Sequence, residues 1–141
     1  MQQTRRTRVT ANLVGGMLFV QVILGGSAVV LGVEGIYPLV WGTLTFIVLI
    51  LTTVLAARSF GTGSTLLKVG LVSIVDFVIQ GILGLFSFGS GVALVIHLTN
   101  AFLLAVIITY LISFADNADK ASKTIALQAK RADLRGYARV S

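Results

Sequence analysis

Four stretches of this chain, 10–32, 38–57, 66–87 and 91–115, each stay apolar for about 20 residues or more, the length an α-helix needs to cross a hydrocarbon layer of about 30 Å. In lipid every backbone polar group must be satisfied within the protein, so such stretches are expected as helices. Composition agrees. Of 141 residues, 56% are hydrophobic and 11% charged, against about 25% charged in a soluble domain, and the mean hydropathy is +0.97. A water-soluble fold is excluded. Segments 1–9 and 116–141 are basic and are expected outside the membrane, the second partly helical.

The connections predict how the spans are arranged. VEGIYP joins the first two, with Pro38 suited to the first turn of the next helix. RSFGTGST and SFGSG make the other two turns. Links this short place sequential neighbours antiparallel, giving an all-α, up-down-up-down bundle of four transmembrane helices. All eleven cationic residues then fall on one side: Arg5, Arg6, Arg8, Arg58, Lys68 and six in the tail. By the positive-inside rule, both termini are expected in the cytoplasm, in a multi-pass protein of the cell membrane.

Cysteine is absent, which excludes disulfides, thiolate metal sites, iron–sulfur ligation and covalent haem attachment. Asp116, Asp119 and Asp133 interleave with the tail's cations, so the net charge of +6 reads as topology and lipid contact, not as a nucleic-acid site. Gly136 is expected to end the tail helix. Ala121, Ile125, Leu127 and Leu134 form a thin apolar stripe along it, better suited to a partner subunit than to independent membrane binding.

Two motifs repeat: QVILGG at 21–26 and QGILGL at 80–85. Aligning Gln21 with Gln80, and then Trp41 with His97 across a three-residue gap, makes the chain two copies of a helical hairpin. Their shared orientation makes this a parallel repeat. Glutamine beside glycine supplies what helix association in lipid relies on, a polar side chain that bonds across an interface and a small residue that permits close approach. Ala28 and Gly32 add a further pair of small residues.

The second half carries more polar groups. Asp76 lies mid-span with Gln80 at i+4 on the same face, and His97 and Asn100 are three apart on the last span. At about 1.5 Å per residue, Gln80, His97 and Asn100 share one depth, roughly 9–14 Å below the outer surface, with Gln21 close to it and Asp76 a turn deeper. An intramembrane carboxylate usually marks function. A protonated carboxyl bonded to a neighbour is the structural alternative, as a packing role is for the glutamines and for His97. Trp41 and Tyr37 also suit an interfacial aromatic belt.

The order QVILGG, a loop, a second helix, then a hairpin ending in VIHLTNAFLLAV resembles one four-helix half of haem A synthase, over nearly all of 10–115. In that family the second and fourth helices of a half each carry a histidine that can hold haem. His97 falls on the fourth-helix position, and Trp41 stands where the second ligand would be.

Three readings follow from the residues and the resemblance. The chain is expected to be a non-catalytic accessory subunit of a respiratory, terminal oxidase-type complex, with no cofactor. Alternatively it binds haem b, with His97 as the iron ligand, Asn100, Gln80 and Gln21 as polar neighbours, Trp41 over the ring, and a homodimer supplying a second His97. Thirdly, it is a small transporter or scaffold in which Asp76 takes a proton or cation.

Overall fold

The computed structural model describes residues 2–31, 35–87 and 89–137. They form four helices, α1 (Gln2–Leu31), α2 (Ile36–Phe60), α3 (Thr65–Ser87) and α4 (Gly91–Tyr137). All four are long and apolar enough to cross a membrane, so the protein is a multi-pass, all-α membrane protein. Gly32 and Arg139 lie outside the described residues.

The breaks follow from local chemistry. Gly61 ends α2 at φ 80°, its N–H donating to the Ala57 carbonyl at 3.0 Å, a backbone turn that glycine takes without strain. Ser64 and Ser90 cap the next two helices, their hydroxyls accepting from Leu67 N–H at 3.3 Å and Ala93 N–H at 3.4 Å. Pro38 sits in the first turn of α2, where its missing N–H leaves no helical bond unmade.

Cross-helix contacts give the arrangement. Thr7 meets Ser59 and Gln21 meets Pro38 between α1 and α2. Phe46 stacks on Phe77, with ring centres 5.5 Å apart, between α2 and α3. Gln80 meets His97 and Asn100 between α3 and α4. Arg8 reaches Asp116 and Asp119 between α1 and α4. Every neighbouring pair is therefore antiparallel, and the helices stand in chain order around a ring.

Two helices run further than the membrane spans expected for them. The basic segment before residue 10 is already part of α1, fastened by the Thr7 and Arg8 contacts. The tail continues α4 without a break. At about 1.5 Å per residue α4 is roughly 70 Å long, so the part beyond 115 projects about 30 Å past the apolar span. Fully buried side chains such as Val14, Leu49, Leu104 and Leu111 form the core. Buried hydroxyls pose no difficulty. Thr45, Thr52, Thr53 and Ser73 each donate to the carbonyl four residues back, at 2.8 to 2.9 Å, which satisfies them within their own helix.

Burial also exposes the repeat in a register different from the gapped alignment. Buried positions recur at a constant spacing of 59: Thr7 with Leu66, Ala11 with Gly70, Val14 with Ser73, Thr45 with Leu104, Leu49 with Ile108, Thr52 with Leu111, and Ala56 with Ala115. No gap is needed. Under this register Pro38, and not Trp41, is the counterpart of His97, and Trp41 is the counterpart of Asn100. The gapped alignment matched residue types along apolar sequence, whereas the packed faces carry the repeat.

Candidate functional site

Gln80 is the centre of the polar seam between α3 and α4. Its carbonyl accepts from the Asn100 amide at 2.9 Å, and its own amide nitrogen lies 3.4 Å from His97 Nε2. The i to i+3 spacing of His97 and Asn100 puts both on the side of α4 that faces this glutamine. Gly84 makes the arrangement possible: a β-carbon there would lie 3.2 Å from His97 Cε1. Asn100 also neighbours Asp76, a turn deeper.

The first hairpin has a counterpart. Gln21 donates from Nε2 to the Pro38 carbonyl at 2.9 Å, and Trp41 donates from Nε1 to the Met17 carbonyl at 2.8 Å. Shifted by 59, Gln21 with Pro38 becomes Gln80 with His97, and Trp41 with Met17 becomes Asn100 with Asp76. The same pairs of positions meet in each hairpin, and the second adds the Asn100–Gln80 bond, which has no counterpart in the first. Backbone acceptors serve in the first and side chains in the second.

The six candidate residues therefore divide into two sets. Gln80, His97, Asn100 and Asp76 come together between α3 and α4, whereas Gln21 and Trp41 are engaged between α1 and α2. Glycine plays a narrower part than the motifs suggest. Gly25 and Gly26 of QVILGG face open space, while Gly42 abuts Gln21 and Gly84 abuts His97.

The chain matches no protein-family model, no curated protein and no solved structure. The resemblance to haem A synthase accordingly rests on the quoted motifs alone.

The residues around His97 do not fit an iron porphyrin as arranged. Its Nε2 faces the Gln80 amide, its Nδ1 is buried without a partner, and its ring lies against Gly84. An open hollow over Asp76 and another along α4, from Phe102 to Ser113, do not reach His97. Among the described residues no three metal-ligating side chains gather.

Asp76 is different in kind. It is 7% exposed, its Oδ2 has no partner, and it lies at the floor of the first hollow. A second polar cluster, which sequence reading passed over, lies where α1 meets the extension of α4. Arg8 and Lys123 approach Asp119 Oδ2 at 3.1 and 2.8 Å, and Asp119 is buried. The ionic hydrogen bond from Lys123, with the charges of Lys123, Arg8 and Arg5, holds its carboxyl below the usual aspartate range against the opposing effect of burial. The i to i+4 spacing of Asp119 and Lys123 was the available signal.

Proposed function

We propose that this protein is a non-catalytic accessory subunit of a larger integral-membrane complex, of the respiratory, terminal oxidase type that the resemblance implies, with its basic end and both termini in the cytoplasm. One observation carries the non-catalytic reading. Gln21, Trp41, Gln80, Asn100 and His97, the side chains that would serve a cofactor, are occupied in fastening each hairpin to itself. Such bonds supply helix association in lipid, where the hydrophobic effect supplies little. The projecting, cationic end of α4 adds a surface for contact beyond the membrane.

The test is gentle extraction from native membranes, followed by oxidised and dithionite-reduced absorption spectra and mass spectrometry of what co-migrates. A colourless chain in a stoichiometric assembly with respiratory subunits is the expected result. A b-type spectrum that persists in the isolated chain and is lost in His97→Ala would replace this reading with haem binding.

A further inference from the structure

The hollow over Asp76 is bounded by Leu71, Val72, Val75 and Ile79 of α3 and Leu103 and Ile107 of α4, with a volume of about 410 Å³. It opens on the membrane-facing side, where Leu71, Val72, Val75 and Leu103 are exposed. Its walls are wholly apolar, and the only polar group at its floor is the carboxyl whose Oδ2 lacks a partner. Asp76 is the twelfth of the 23 residues of α3, so it lies near mid-membrane, where an unpaired carboxylate is least tolerable.

The repeat requires only an acceptor here, which Asp76 supplies to Asn100. The counterpart of Asp76 in the first hairpin is Met17, which contributes only its backbone carbonyl to Trp41. The bundle thus makes this seam once without a carboxyl. Among the described residues no cation pairs with it either. Lys68, the nearest along α3, is eight residues away, about 12 Å along the axis.

We propose that this hollow seats a transmembrane helix of a partner subunit, which inserts a lysine or arginine at mid-membrane depth to meet Asp76. The proposal rests on the accessory-subunit reading and names its contact. The apolar walls would cover the methylene stem of the inserted side chain, and the carboxyl would meet its head. Each charge is costly alone in lipid and compensated together. A second copy of this chain carries no cation at that depth, and an acyl chain would leave Oδ2 unpaired.

The test places photoreactive benzoylphenylalanine at Val75, in the full chain in native membranes, with a control at Phe102 on the other hollow. The Val75 probe is expected to cross-link to a partner helix bearing a lysine or arginine within one turn of the linked position. Asp76→Asn should lower that yield about 10-fold or more, as loss of one member of a desolvated charge pair does. Asp76→Lys combined with an aspartate at the partner's cationic position should restore it. Leu103→Trp, which fills the hollow and leaves the carboxyl in place, should abolish it even if Asp76→Asn fails to accumulate. Cross-linking to lipid, to a second copy, or to a helix without a cation overturns the proposal, as does a yield unchanged in Asp76→Asn. If the chain still co-purifies in a stoichiometric assembly after such a result, only this contact is wrong; if the gently extracted chain is a monomer, the accessory reading falls with it.

Discussion

Replacing Gln80 by leucine tests whether the polar seam holds α3 to α4. The substitution keeps the volume close, removes the acceptor of the 2.9 Å bond from Asn100, and leaves that N–H of the Asn100 amide facing an apolar side chain. Interhelical hydrogen bonds in membranes average about 0.6 kcal/mol, with about 1.7 as the upper end. A stranded buried polar group costs about 1–3 kcal/mol in addition. Gln80→Leu is therefore expected to destabilise the bundle by about 2 kcal/mol, and Asn100→Leu by a similar amount. The double variant strands neither amide of this pair, so it should fall short of the sum by about 1–2 kcal/mol. Reversible unfolding in bicelles, by steric trapping or single-molecule force, measures all four corners of the cycle. Additivity within about 0.5 kcal/mol would show that the bond contributes nothing and that the fastener argument is wrong.

Two further outcomes follow from close approach and charge. A β-carbon at Gly70 would lie 2.7 Å from Thr53 Oγ1, in a buried contact between α3 and α2, whereas one at Gly25 meets nothing within 4 Å. In the same unfolding assay Gly70→Ala should cost about 1–3 kcal/mol, and Gly25→Ala should stay within about 0.5 kcal/mol of neutral. Adding Thr53→Ala should recover part of the Gly70 loss; no recovery would place the strain elsewhere. At the other cluster, the lowered folded value of Asp119 means its stabilisation is fully present above the ordinary aspartate range, about 3.9, and is lost as pH falls through the lower folded value. Because the chain lacks cysteine, spin labels at Gln2→Cys and Asn117→Cys can report the distance between α1 and α4. That distance should hold from neutral pH to about 4 and lengthen only below; separation already at pH 6 would remove Asp119 as the tether.

How much of this was legible in the sequence depends on what each feature requires. Length and apolarity alone place four spans, because lipid leaves the backbone no alternative to helix. The glutamines were legible as packing residues for the same reason, and Gln80 with His97 and Asn100 followed from i+3 spacing and equal depth. Their partners were not. Gln21 and Trp41 use backbone carbonyls of Pro38 and Met17, and a carbonyl has no side-chain signature. Gly70 and Thr53 meet across α2 and α3 because of the crossing of two helices, which neither residue announces. The helical start at Gln2 was hidden by three arginines that read as a solvated segment, one of which, Arg8, pairs with Asp116 and Asp119 on α4.

The constant spacing of 59 also changes what His97 signifies. If Trp41 were its counterpart, the two positions would frame the bundle as a pair of facing ligand sites with one ligand exchanged. With Pro38 in that place, the two halves share a fastening between a glutamine and the early part of the following helix, made with a carbonyl in one and an imidazole in the other. The imidazole is then explained by packing, and so is Asn100, which takes the place of Trp41. What this symmetry leaves over is the second oxygen of Asp76: its counterpart supplies one backbone oxygen, whereas Asp76 meets Asn100 and still has Oδ2 without a partner. A group that the fold repeats without, in the least hospitable part of the membrane and facing outward through an apolar hollow, is best explained by something that binds there.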